Sequence, residues 1–191
     1  MTRLRGVFLA AAILMLNTLA DLEFELFGHL SVNSIRRLQL RCLLVPHGAN
    51  IRVGKEIMIR VRGNLRFGDK CAIGSYTRIW NYAPIEIGDC FLSAGGLTLN
   101  SGGHDPLTLE NSSGPIKIGD RVWCGLNVTI LQGVTIGDDV VIGAGSLVID
   151  DVPSNTVVAG VPARKIRSLD RTAEASKRAS DYMTVATAGD S

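Results

Sequence analysis

A period of six residues governs the second half of this chain. Ile118, Cys124, Ile130, Ile136, Ile142 and Val148 follow one another at that spacing without a slip. Four residues after each comes Val122, Val128, Val134, Val140, Ser146 or Val152, again apolar or small. Gly stands directly behind the lead residue at Gly119, Gly125, Gly137 and Gly143. Upstream, Phe67, Ile73 and Ile79 keep the spacing, with Gly68 and Gly74 behind the first two. After a slip of two residues the lattice resumes at Ile87, Ser93 and Leu99. Neither the helical period of 3.6 nor plain strand alternation generates this series.

A short period with Gly, Asp and Asn at fixed offsets means brief strands separated by bends. Gly accepts positive φ without steric cost, and Asp and Asn support turns with their own side chains. Three units close a triangular coil of about 18 residues, and coils stack at strand spacing, about 4.8 Å. The lead aliphatics then form interior ladders, and each coil satisfies the backbone of the next. The expected class is all-β. Composition agrees: 46% hydrophobic and 20% charged residues exclude a disordered chain. Aromatics are only 5% against 21 glycines, which favours aliphatic stacking with sharp corners over an aromatic-centred core.

From about Gly48 to Arg167 these residues resemble the hexapeptide-repeat acyltransferases. The likeness is closest in Gly133-Val134-Thr135-Ile136-Gly137-Asp138, in Val141-Ile142-Gly143-Ala144-Gly145-Ser146, in Asp151-Val152-Pro153, and in the ending Val158 to Arg167. The resemblance implies a left-handed parallel β-helix over residues 48–168, preceded by a helical segment (1–47) and followed by a tail (169–191). It also implies a homotrimer. Asp170–Ser191, rich in Ala, Ser, Thr and Asp, reads as a partly helical or disordered tail.

The lattice breaks conspicuously between Leu99 and Ile118, where a polar excursion holds His104, Asp105 and Pro106. Loops thrown out of a rigid scaffold concentrate function. Of three histidines (His29, His47, His104), only His104 falls inside the regular coils. Sugar-acetylating members of the family carry a His at the start of this excursion, matched here by Gly103-His104-Asp105-Pro106. The resemblance therefore implies an O-acetyltransferase that moves acetyl directly from acetyl-CoA to a sugar hydroxyl of a polysaccharide or glycan precursor. On that resemblance His104 is expected to be the general base, a role that suits an imidazole because it can both take and return a proton. By the same likeness Trp123, Gly125, Leu126, Ala144, Gly145, Arg164 and Arg167 fall at positions that contact CoA. Trp123 also reads as a packed aromatic, and the two arginines as a solvated basic end. Asn81 and Asn100 are candidates for acceptor contacts, together with Asp105, which before Pro106 also reads as a turn former. Two departures stand out: Gly74-Ser75 where relatives often place an Asn, and Ile149-Asp150 where many carry Thr-Lys. No metal is expected.

The ends and the charge pattern bear on location. Residues 36–78 hold ten Lys/Arg against Glu56 and Asp69. Such a stretch is either a solvated basic face or one drawn to an anionic surface; without interleaved aromatics it does not read as a nucleic-acid site. Arg3 and Arg5 precede an apolar run, Val7–Leu16, too short for an ordinary transmembrane helix. It reads as a secretory signal, or as part of a helix over residues 1–30 that packs on the body or lies on a membrane. Cys42, Cys71, Cys90 and Cys124 form no C-x-x-C pair and read as reduced thiols. The expected location is cytoplasmic, including the cytoplasmic face of the inner membrane. Competing readings are transfer to an amine of an amino sugar or to an antibiotic, a zinc carbonic anhydrase of the same fold, and a non-enzymatic β-helix spacer.

Overall fold

The computed structural model describes residues 45–48, 50–61, 63–169 and 172–188. The expected amino-terminal helix, its membrane contact, and Cys42 lie outside the described residues. Among those described, the chain winds into a parallel β-solenoid of about five turns with three faces. The first face, sheet A, stacks β1 (Arg52–Val53), β4 (Ala72–Ile73), β7 (Leu92–Ser93), β12 (Trp123–Cys124), β15 (Val141–Ile142) and β17 (Thr156–Gly160). Sheet B stacks β2 (Met58–Ile59), β5 (Arg78–Trp80), β8 (Thr98–Asn100), β13 (Thr129–Leu131) and β16 (Leu147–Val148). Sheet C stacks β3 (Leu65–Phe67), β6 (Ile85–Ile87), β11 (Ile116–Ile118) and β14 (Thr135–Ile136). A final strand, β18 (Ala163–Ser168), folds back antiparallel on β17.

Every lead position of the lattice lies inside. Ile118, Cys124, Ile130, Ile136, Ile142 and Val148 are all at most 4% exposed, and their partners Val122, Val128, Val134 and Val140 at most 2%. Val45 already packs into this core, ahead of the expected boundary at residue 48. Register sets the coil length. Trp123 sits opposite Val141, eighteen residues on. Arg52 pairs with Ala72, and Ala72 with Leu92, each twenty residues on. The two additional residues sit at the corner between sheets B and C, which is the lattice slip after Ile79.

The glycines behind the lead residues serve a different purpose from the one expected. None of Gly68, Gly74, Gly119, Gly125, Gly137 or Gly143 has positive φ. Each instead lies where the next coil passes: a Cβ on Gly119 would stand 2.8 Å from the Gly137 carbonyl carbon, and one on Gly125 2.7 Å from the Ala144 nitrogen. The left-handed residue comes two positions later, as Lys70, Tyr76, Arg121, Asn127, Asp139 and Gly145, and Gly133 holds the same place behind Leu131. At the corner between sheets C and A the aspartates between these positions form a ladder. Asp89 accepts the Asp69 N–H, Asp120 that of Asp89, and Asp138 that of Asp120, each at 2.8 Å. Arg121 and Asp139 add a bidentate clamp between neighbouring coils, at 2.9 and 2.8 Å.

Among the described residues of the expected partly helical or disordered tail there is a helix. Thr172 caps a helix, α1 (Ala173–Ala188), its Oγ accepting from the Ala175 N–H at 3.2 Å. Met183, 4% exposed, packs with Ala72 and Cys90 and against Leu92, so α1 lies along the outside of sheet A. Ser176, Ala179, Ser180 and Thr184 share its half-buried face.

Candidate active site

The corner that follows sheet B carries the excursion. After β8 the chain runs through Ser101, whose buried hydroxyl bonds to Ala83 in both directions at 2.9 Å. It then leaves the solenoid as an antiparallel hairpin, β9 (Gly102–His104) with β10 (Asn111–Ser113), His104 lying opposite Asn111. Ser112 rests on Gln132 of the coil above, through a bond of 3.2 Å from the Gln132 amide.

His104 is exposed at the end of β9, and its Nδ1 lies 3.0 Å from the Leu109 carbonyl oxygen. A carbonyl only accepts, so Nδ1 carries the proton and Nε2 keeps a free lone pair. The Leu109 carbonyl is presented by the hairpin turn, which Asp105 locks. Its Oδ1 accepts from Leu107 N–H at 2.8 Å and Thr108 N–H at 2.9 Å. Those two bonds, Thr108's first, hold the Asp105 carboxyl below the usual range.

A cleft of about 430 Å³ opens beside the imidazole, lined by Trp80, Tyr82, Asn100, Gly102, Gly103, His104 and Asn111–Ser113. Asn100 thus joins His104, although its Oδ1 also accepts from Gly102 N–H at 3.1 Å. Asn81 does not reach the cleft. It is fully buried, and its side-chain amide is spent on Val61, accepting at 2.9 Å and donating at 2.6 Å. The acceptor role expected of it is corrected to that of a corner clamp. Trp80 and Tyr82 were missed from the sequence. The only signal for them was the two-residue slip, since Trp80 ends the strand before that corner and Tyr82 stands in it.

The candidates for CoA contact gather elsewhere. Gly125-Leu126 and Ala144-Gly145 stack at the corner between sheets A and B, with the Gly145 N–H donating to the Leu126 carbonyl at 2.7 Å. Leu126 is 57% and Trp123 49% exposed, the latter on the outer face of sheet A between Leu92 and Val141. Arg164 pairs with Asp150 at 2.9 Å, so the residue that departs from the family pattern faces this cation. Arg167 donates to the Ser168 carbonyl at 3.4 Å. The A–B corner and the His104 hairpin lie at opposite ends of the sheet B strands. One chain does not bring them into a single cleft.

Known proteins share this fold. A family model described as the hexapeptide repeat of succinyl-transferase matches residues 115–149. A hexapeptide-repeat-containing acetyltransferase of Vibrio cholerae O1 biovar eltor, solved in complex with acetyl-CoA, superposes with a TM-score of 0.68 and 33% identity. That match covers 84% of this chain and 88% of the other. The chain belongs to the hexapeptide-repeat acetyltransferase family. Among curated members, the galactoside O-acetyltransferase of Escherichia coli K12 is 40% identical over 65% of this chain and 57% of its own length. A second protein of that organism, named provisionally for O-acetyl transfer in lipopolysaccharide biosynthesis, is 36% identical over 60% of this chain and 66% of its own. The chain thus spans somewhat under two thirds of these curated hexapeptide-repeat relatives.

Proposed function

We propose that this hexapeptide-repeat protein is an acetyl-CoA-dependent O-acetyltransferase acting on a sugar hydroxyl of a polysaccharide or glycan precursor, with His104 as general base. One observation carries the reading. The Nδ1 proton of His104 is committed to Leu109, leaving a basic Nε2 beside a sugar-sized cleft. The relatives' names, galactoside acetylation and lipopolysaccharide biosynthesis, support the acceptor class.

Transfer is direct. Nε2 takes the proton of the acceptor hydroxyl as its oxygen attacks the thioester carbon. The tetrahedral adduct collapses, the C–S bond breaks, and the imidazolium returns its proton to the departing thiolate. The products are the acetyl ester and CoA thiol, with no acyl-enzyme. Such assistance contributes about 10²–10⁴ in rate, and holding both substrates in place supplies much of the rest.

CoA lies along the A–B corner, where exposed Ala144 and Gly145 leave room for a chain to approach the backbone, nothing lying within 4 Å of the point a Gly145 methyl would occupy, while Gly125 lets the two coils close beneath. Leu126 and Trp123 offer apolar surface there, and Arg164 and Arg167 face the CoA phosphates. Because corner and hairpin sit at opposite ends of sheet B, a productive site needs the corner of one copy against the hairpin of another, as in a closed homotrimer. Residues 1–30 tether the enzyme peripherally at the cytoplasmic face of the membrane. Thiol release from acetyl-CoA with galactosides and amino sugars as acceptors tests this. Hydroxyl-dependent turnover lost in His104→Ala, with CoA binding kept, is expected; transfer to amines alone would overturn the O-acetyl reading.

A further inference from the structure

One column of outward positions on sheet B leads into the cleft. Trp80 pairs with Asn100 in the next coil. The Arg60 N–H donates to the Ile79 carbonyl at 2.9 Å, which puts Arg60 one rung before Trp80 in the same column. The column therefore reads Arg60, Trp80, Asn100 toward His104, at about 4.8 Å per rung. Arg78 occupies the neighbouring outward position on β5, and both arginines are exposed. Sheet C arranges its cations differently: Arg66 and Lys117 flank Glu86 in register, so that charge is matched. On sheet B no outward position holds a carboxylate, and among the described residues no ion pair involves Arg60 or Arg78.

Trp80 and Tyr82 wall the cleft between these cations and the hairpin. Tyr82 is 52% exposed, and a Cβ on Gly102 would stand 2.3 Å from Tyr82 Cδ2, so the ring lies directly against the hairpin backbone. Rigid aromatic faces bind the apolar C–H side of a sugar ring with little loss of side-chain freedom.

We propose that the acceptor is an anionic sugar, its ring held against Trp80 and Tyr82 and its carboxylate or phosphate received by Arg60. This rests on reading the cleft as the acceptor site. A neutral pyranoside leaves the Arg60 guanidinium solvated, whereas an anion one rung away gains a charge-assisted contact worth about a factor of ten in affinity at low salt.

The test is a ligand-observed NMR titration of the full chain with methyl β-glucoside, methyl β-glucuronide and glucose 6-phosphate, at two salt concentrations. One or both anions should bind about tenfold more tightly than the glucoside. That preference should shrink with salt, vanish in Arg60→Gln, and return in part in Arg60→Lys. The tighter of the two anions identifies the source of the charge, carboxylate or phosphate. Tyr82→Ala should weaken all three sugars. Equal binding of neutral and anionic sugars, a preference that survives Arg60→Gln, or no binding at all overturns the proposal. Anion preference without acetyl transfer would leave it standing while removing the transfer reading; transfer to neutral sugars without anion preference would do the reverse.

Discussion

Replacing Gly119 by Ala tests what the motif glycines are for. The new methyl would stand 2.3 Å from Asp138 Oδ1, a side-chain atom that can turn aside, and 2.8 Å from the Gly137 carbonyl carbon and 2.9 Å from the Asp138 nitrogen, main-chain atoms that cannot. Restoring an ordinary contact of about 3.5 Å requires the two coils to part by roughly 0.7 Å. The Gly119 N–H bond to the Ile136 carbonyl, now 2.8 Å, would stretch to the edge of bonding. Overpacking of about 1–3 kcal/mol and a weakened hydrogen bond of about 1 kcal/mol together predict a loss of roughly 2–4 kcal/mol. Gly133 is the control, with φ of +80° and nothing within 4 Å of the point a methyl would occupy. There Ala should cost only about 1–2 kcal/mol, from the left-handed backbone alone, and Asn less, as Asn127 and Asn155 already adopt that conformation. Denaturant unfolding monitored by circular dichroism ranks the three. Gly119→Ala as mild as Gly133→Asn would refute the close-approach argument.

Other consequences follow from the same geometry. Asp105→Ala should loosen the turn and lower kcat about tenfold or more through misplacement of His104, with KM for acetyl-CoA unchanged and partial recovery in Asp105→Asn. Because that carboxyl is held below its ordinary value, the turn is secured above the unfolded pKa, near 3.9, and released as pH falls through the depressed one; hydrogen exchange at the Leu107 and Thr108 amides should report it. Burial pushes the thiols of Cys71 and Cys124 up to about 12, so neither should react with iodoacetamide in the folded protein at neutral pH. Between about pH 8.5 and 12 only the unfolded thiols ionise, so stability should fall as pH rises through that window, and less steeply in Cys124→Ala. Met183→Asp should detach α1, raising its protease sensitivity and exposing Cys90 to alkylation, at a cost of about 2–3 kcal/mol.

The solenoid was legible because its core is one repeated decision: each lead aliphatic repeats the environment of the last, so a period in the sequence is a ladder in space. The site was legible in part. His104 stood out because the lattice breaks there, but the Leu109 carbonyl that sets its tautomer is a main-chain atom and leaves no trace in residue types. Trp80 and Tyr82 escaped because outward positions of a coil carry no periodic constraint. Asn81 misled because a polar residue beside a lattice slip looks functional, whereas the longer corner needed its amide to satisfy Val61. The docking of α1 was hidden by a contact face of Ser, Ala and Thr around the single Met183.

The central claim concerns the imidazole. In His104→Ala, measured by thiol release from acetyl-CoA, kcat/KM for the sugar acceptor should fall by about 10²–10⁴, while calorimetric CoA binding stays at the wild-type level. Turnover within a few-fold of wild type in that variant would contradict the account.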